Sequence, residues 1–221
     1  MFIDAVHYAP HGPIDVRALD CDFLVCSPYK FFGPHMGTLY GKREHLLRFQ
    51  PYKVRPAPDT LPDRWETGTQ VQELIAGIGA AVDYIAEVGR RCDPRTQDRR
   101  SALLAAYRAT RQHEKSLLSQ LIPGLLAIPG LRFFGITDAK RFDERCSTVS
   151  VRLANHTPTE TAKFLGDRGI FTWDGNYYAL NLTERLGVEK TGGLLRIGLV
   201  HYNTAEEVDR LLSGLREFAA G

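Results

Sequence analysis

A lysine set between a run of apolar residues and a turn rich in glycine and proline has the surroundings of a reactive amine. Lys30 follows Phe23-Leu24-Val25-Cys26 and precedes Gly33, Pro34 and Gly37. The apolar run has the length and composition of a buried strand, and the residues after the lysine mark a tight turn. Strand ends are where α/β folds gather their chemistry. In a dry site a lysine amine loses its proton and attacks carbonyl carbons, as Schiff-base lysines do. A surface lysine beyond a strand is the plain alternative, because most lysines are exposed. The segment Asp4-Ala5-Val6-His7 shifts the balance, since it is a second break from apolar to polar residues and brings a carboxylate to another strand end.

The elements that must hold these groups can be read from periodicity. Met1-Phe2-Ile3 runs directly into Asp4, as though the chain begins inside a strand. The spacing predicts a short helix or turn over 15–19, strands over 21–27 and 36–40, and a short helix over 42–49. Four prolines between 50 and 62 make a long loop, which ends in Trp65-Glu66-Thr67-Gly68-Thr69. Leu74, Ile75, Ile78, Val82 and Ile85 form one stripe of a helix over 72–88. Cys92-Asp93-Pro94-Arg95 is a break, and the domain boundary is placed there, giving domains 1–93 and 94–221. A long helix over 96–122 follows, and Pro123-Gly124 and Pro129-Gly130 punctuate the chain after it. Strands are predicted over 132–135, 148–153, 169–173 and 194–199, with helices over 158–167, 180–186 and 204–218. Thr157-Pro158-Thr159-Glu160 carries a strong helix start signal, with threonine at the N-cap, proline at N1 and glutamate at N3. The class is α/β, or α/β followed by a small α+β module.

Composition excludes several functions. The chain has 221 residues, 43% apolar and 24% charged, so a sizeable core is available. Twenty-eight basic against 26 acidic side chains give a net charge of +2, which does not suggest nucleic acid or an anionic membrane as partner. No run of apolar residues is long enough to span a bilayer, and the N-terminus does not read as a secretion signal, so a cytoplasmic protein is expected. Four scattered cysteines without a CxxC pair argue against zinc and against a disulfide framework. His7, His11 and His35 are spread across a turn and a strand, so no metal is expected there either.

An aspartate at one strand end and a lysine at the next could bracket a flat aromatic cofactor. Pyridoxal phosphate needs these groups, a lysine for its aldehyde and a carboxylate for its pyridinium nitrogen. Asp4-Ala5-Val6-His7 followed by Ser27-Pro28-Tyr29-Lys30-Phe31-Phe32-Gly33-Pro34 resembles the cofactor core of the class V aminotransferases, in their cysteine desulfurase branch. Two further stretches extend the resemblance: Trp65-Glu66-Thr67-Gly68-Thr69, and Arg196 through Tyr202-Asn203-Thr204 to Asp209. It implies an aspartate aminotransferase-like fold, with part of the large cofactor-binding domain and a small C-terminal domain.

The same resemblance implies roles. Lys30 would be the Schiff-base lysine and Asp4 the pyridinium partner. His7 would contact the cofactor's phenolic oxygen, Ser27 its phosphate, and Thr69 a phosphate across the interface of a homodimer with a shared active site. Tyr29 would lie against the cofactor, and Arg196, Asn176 and Tyr178 would line the substrate. A guanidinium fork at Arg196 suits a substrate carboxylate. Turn formation by Asp4, a structural role for His7 and an ordinary strand arginine at 196 are the respective alternatives.

Three departures narrow the expected chemistry. Tyr29 stands where the family usually has histidine, and a phenol with an ordinary pKa of ~10 is the poorer base at neutral pH. Tyr178, within Asp174-Gly175-Asn176-Tyr177-Tyr178-Ala179, stands where desulfurases carry the nucleophilic cysteine. A tyrosine cannot carry a persulfide, so amino transfer or elimination at Cβ of an amino acid is expected instead. Lastly, the resemblance implies a longer whole, of which this is the C-terminal half. A truncated homologue that folds and dimerises without catalysing is therefore the competing expectation.

Overall fold

A computed structural model describes residues 1–66 and 68–221. Thr67, part of the Trp65–Thr69 motif, lies outside the described residues. The chain forms two compact units, Met1–Ala109 and Thr110–Gly221.

The first unit is built on a three-stranded sheet of β1 (Phe2–Asp4), β2 (Phe23–Cys26) and β3 (Thr38–Gly41), in that order. β1 and β2 are parallel, with Asp4 opposite Val25, and β2 and β3 are antiparallel. Parallel neighbours need a crossover of a dozen or more residues. Here it carries the short helix α1 (Val16–Leu19), whose first amides are capped by the Asp15 carboxylate. A 3₁₀ turn, Pro28–Phe31, follows β2, and α2 (Arg43–Arg48) follows β3. The proline-rich loop is tied back to α2: Trp65 Nε1 donates to the Leu46 carbonyl at 2.9 Å, and Arg64 donates to the carbonyls of Leu47 and Phe49. The sheet's own buried cluster is small, Ala5, Cys21 and Leu24, with Ile3, Ile14, Val16 and Tyr40 packed around it.

Helix α3 spans Gln72–Cys92 and α4 spans Arg99–Leu126, with the break at Asp93–Arg95 between them as expected. The compact units divide farther on, inside α4. Its first turns bury Ala102, Ala105 and Ala106 in the first unit, while α3 buries Ala81, Ile85, Ala86 and Gly89. At Gly89 the two helices approach closely, since a Cβ there would overlap the Ala102 carbonyl oxygen. Gly79, in the same helix, has nothing within 4 Å of an added Cβ. Helix propensity alone favours alanine over glycine by ~1 kcal/mol at either position. At Gly89 the overlap is with backbone, which cannot rotate away, and overpacking of this kind costs about 1–3 kcal/mol. Gly79→Ala is therefore expected to raise the denaturant midpoint and Gly89→Ala to lower it. Equal shifts for the two variants would contradict this packing.

The second unit is an antiparallel four-stranded sheet in the order β4-β5-β7-β6, formed by β4 (Leu131–Phe134), β5 (Val149–Leu153), β6 (Trp173–Gly175) and β7 (Leu194–Ile197). Its alternation is clean: Val149, Val151 and Leu153 are buried, whereas Ser150 and Arg152 face away from the core. The buried face packs with Leu117, Leu118, Leu121 and Leu125 of α4, Leu165 of α5 (Pro158–Gly166), and Val208, Leu211 and Leu215 of α7 (Ala205–Ala220). α5 and α7 both begin with a complete capping box, Thr157 with Glu160 and Thr204 with Glu207. A short helix α6 (Leu180–Arg185) lies between β6 and β7.

Two expectations are corrected. Pro123 does not end the long helix. α4 continues through it to Leu126, with Ala127 N–H bonded to the Pro123 carbonyl and with Ile122 and Leu125 buried on either side. The strand expected over 169–173 instead occupies Trp173–Gly175. Ile170 N–H bonds back to the Leu165 carbonyl, so the chain is still turning off α5 there and aligns with β7 only from Trp173.

Candidate active site

The first unit places the cofactor-type residues at one end of its sheet. Asp4 ends β1, and Ser27 follows the last residue of its parallel neighbour β2, so both lie at the carboxyl ends of adjacent strands. An Asp4 carboxylate oxygen accepts from the Val6 amide at 2.9 Å, which holds the side chain against the turn that leaves the strand. Ser27 is the N-cap residue of the 3₁₀ turn, yet its hydroxyl makes no capping bond and stays available to a ligand. Lys30 lies within this turn, its amide bonded to the Ser27 carbonyl at 2.9 Å.

Lys30 Nζ sits 5.1 Å from the centre of the Tyr29 ring, and among the described residues no carboxylate is within ion-pair distance of it. Tyr29 in turn stacks on His35, with ring centres 4.8 Å apart. His7 is exposed, its ring 5.3 Å from that of His11. Thr69 is exposed in the segment leading into α3. An amine without a fixed counter-ion, a carboxylate on the neighbouring strand end and a spare hydroxyl form a donor set that suits pyridoxal phosphate.

In the second unit, Arg196 lies on β7 with Ser150 of β5 opposite on one side and Trp173 of β6 on the other. All three are on the sheet face that points away from the helices. Among the described residues Arg196 has no carboxylate partner; its guanidinium carbon lies 5.2 Å from the centre of the Tyr177 ring. The loop after β6 is anchored at its base, where the backbones of Gly175 and Gly193 pair so closely that a Cβ on Gly193 would overlap the Gly175 carbonyl.

Asn176 is engaged at both ends of its amide. It donates to a Glu189 carboxylate oxygen at 3.1 Å and accepts from the Tyr178 amide at 3.1 Å. Tyr177 and Tyr178 both adopt left-handed backbone conformations, with φ of 53° and 64°. This turn sends the Tyr177 ring inward and leaves Tyr178 fully exposed. Sequence reasoning missed Tyr177. The available signal was the pair of adjacent tyrosines in a glycine-bounded loop, which says that one ring is held but not which.

A groove of about 860 Å³ in the second unit lies apart from these residues and is lined by Arg132, Arg152, His156 and Lys190. Arg152 spends its guanidinium on the carbonyls of Val188, Thr191 and Gly193 and on the Thr191 hydroxyl. Among the described residues no group of three or more His, Cys, Asp or Glu side chains is placed to hold a metal ion, and no helix is long and apolar enough to cross a membrane.

The four thiols are all free. Burial pushes the Cys26 and Cys146 thiols above the usual cysteine range, whereas Cys92 is exposed. Only the thiolate reacts, so a raised pKa leaves less reactive species at neutral pH. Iodoacetamide at pH 7.5 (~1 unit below the ordinary thiol pKa) is expected to label Cys92 first. Cys26 and Cys146 should follow only as the solution is made more alkaline, with peptide mass spectrometry reading the order. Labelling of Cys146 ahead of Cys92 would contradict it.

The class V aminotransferase family profile matches residues 1–211. Among curated relatives, the cysteine desulfurase of Pectobacterium atrosepticum is 31% identical over 230 residues, covering 98% of this chain and 50% of that protein. The probable cysteine desulfurase 1 of Mycobacterium leprae is 31% identical over 233 residues, covering all of this chain and 34% of that protein. Among solved structures, the cysteine desulfurase CsdA of Escherichia coli superposes with a TM-score of 0.77 at 26% identity, covering 99% of this chain and 51% of that one. The apo cysteine desulfurase of Thermococcus onnurineus NA1 superposes with a TM-score of 0.83 at 24% identity, covering 100% and 52%, which speaks for the fold. The chain thus spans half or less of the length of these curated relatives. With its mixed α/β architecture and the profile match over nearly its whole length, the chain belongs to the class V aminotransferases, a pyridoxal-phosphate-dependent family.

Proposed function

We propose that this chain carries the lysine-bearing part of a pyridoxal-phosphate site that acts on an amino acid, with Lys30 as the residue that holds the cofactor covalently. The observation that carries this reading is the arrangement of Asp4, Ser27 and Lys30 at the carboxyl ends of two adjacent parallel strands, with Lys30 free of any carboxylate partner among the described residues. Bound there, pyridoxal phosphate supplies an electron sink for charge that develops at the carbon atoms of an amino acid.

The chain's own groups then divide the work. The Asp4 carboxylate keeps a proton on the pyridine nitrogen. The Ser27 hydroxyl donates to the phosphate, Thr69 does so for a second subunit of a homodimer, and His7 donates to the phenolic oxygen. Lys30 takes and returns a proton at the substrate's Cα or Cβ. Arg196 receives the substrate carboxylate through its fork of donors, and Asn176 and Tyr178 border the same substrate. The exposed Tyr178 offers no sulfur, so amino transfer or elimination at Cβ fits these residues better than desulfuration. A cytoplasmic location belongs to the same reading.

Titrating the full chain with pyridoxal phosphate and following its absorbance tests this reading. A long-wavelength band that saturates with cofactor and changes on addition of an amino acid is expected. The second reading is a catalytically silent homologue that keeps a dimerisation or binding role. A chain that dimerises and develops no such band would support the second reading against the first.

A further inference from the structure

We propose that Tyr177 positions the Arg196 guanidinium for its ligand, acting as a platform beneath the charge rather than as a group that touches substrate. This inference rests on the reading of Arg196 as the carboxylate-binding residue. Three observations on the second unit carry it.

First, the Arg196 guanidinium carbon lies 5.2 Å from the centre of the Tyr177 ring, within the range of a cation–π contact. Among the described residues no carboxylate holds the guanidinium, so the ring face is its main electrostatic partner. Its flanking residues in the sheet, Ser150 and Trp173, bring no charge.

Second, the loop is built to present this ring. Two bulky residues in succession, Tyr177 and Tyr178, occupy left-handed backbone conformations that L-residues avoid. Such conformations persist only where the surroundings enforce them. The surroundings here are the Asn176 oxygen on the Tyr178 amide, the Asn176 amide on Glu189 and the close Gly175–Gly193 backbone pair. Glu189 is itself held, since it accepts from the Thr183 hydroxyl. The bonds that spend Asn176 are therefore the bonds that turn Tyr177 inward.

Third, the Tyr177 hydroxyl is buried and has no hydrogen-bond partner among the described residues. Ser150 lies close enough to temper the upward push that burial exerts on the phenol, but outside hydrogen-bonding geometry. A buried phenol without a bond gains nothing from its oxygen, so the ring is what this position uses. Phenylalanine should then replace it, and a residue without an aromatic face should not.

The test is NMR on the full chain labelled with ¹⁵N-arginine, using sodium acetate as the carboxylate probe. In the wild type the Arg196 Nε–H signal, assigned by its loss in Arg196→Gln, is expected upfield of free arginine because it lies over an aromatic face. Tyr177→Phe should keep that shift, and Tyr177→Leu should lose it. Acetate should move the signal, with an affinity roughly tenfold weaker in Tyr177→Leu than in wild type or Tyr177→Phe, as the loss of a partly desolvated cation–π contact implies.

An Arg196 signal and acetate affinity unchanged in Tyr177→Leu would overturn the proposal. So would a loss of the shift in Tyr177→Phe with the remaining spectrum unaltered, because the hydroxyl would then be what matters. If the shift follows the ring but acetate never moves it, the carboxylate role of Arg196 fails while the Tyr177 contact stands.

Discussion

Replacing Lys30 with alanine is expected to abolish covalent retention of pyridoxal phosphate while leaving the fold in place. The lysine's structural ties are slight. Its amide bond to the Ser27 carbonyl belongs to the backbone and survives substitution, and among the described residues its amine makes no ion pair, lying 5.1 Å from the centre of the Tyr29 ring. Loss of such a side chain falls in the class of surface changes within about 0.5 kcal/mol. The chemical loss is complete by contrast, because no other amine occupies that turn. Lys30→Arg should fail as fully as Lys30→Ala, since a guanidinium stays protonated at any working pH and is no nucleophile. Intact mass after reduction of the cofactor-loaded chain reads retention, and the denaturant midpoint reads stability. A pyridoxyl adduct of undiminished yield in Lys30→Ala would remove Lys30 from its assigned role.

Arg196→Gln is expected to weaken binding of an amino acid about ten- to a hundredfold, the range that follows from losing hydrogen bonds to a charged group worth about 1.5–3 kcal/mol. Arg196 is on the central strand β7 with its side chain on the face away from the helices, so the buried neighbours Leu195 and Ile197 are undisturbed by the change. Arg196→Lys keeps the charge and loses the fork, and should recover only part of the affinity. L-alanine titrated against the cofactor-loaded chain, followed by absorbance, measures the effect. An unchanged dissociation constant in Arg196→Gln would show that the carboxylate is bound elsewhere.

Much of the arrangement was legible before any coordinates, for reasons particular residues make plain. The capping boxes at Thr157 and Thr204 are local chemistry, complete within four residues, and both helices begin where those residues demand. The alternation of Val149, Val151 and Leu153 with Ser150 and Arg152 is dictated by the two-residue period of a strand with one buried face. The placement of Asp4 and Lys30 beyond strand ends was readable because each follows an apolar run, and the parallel pairing of β1 with β2 aligns those strands' carboxyl ends.

What escaped depended on tertiary context. Pro123 breaks a helix by propensity, yet burial of Ile122 and Leu125 carries α4 through it. The start of β6 is set by registry with β7, which no local pattern around Gly169 encodes. The close approach of α3 to α4, Ala102 and Ala106 against Gly89, is invisible until the two helices are brought together. Tyr177 could not be separated from Tyr178 by sequence, because a pair of left-handed residues decides which ring turns inward.

The central claim is that Lys30 is the cofactor lysine, and borohydride reduction of the wild-type chain with pyridoxal phosphate, followed by peptide mapping, tests it most directly. A single pyridoxyl adduct on the peptide that contains Ser27-Pro28-Tyr29-Lys30, saturating with cofactor, is the result predicted. Adducts scattered over exposed lysines such as Lys163 and Lys190, with Lys30 unmodified, would contradict it.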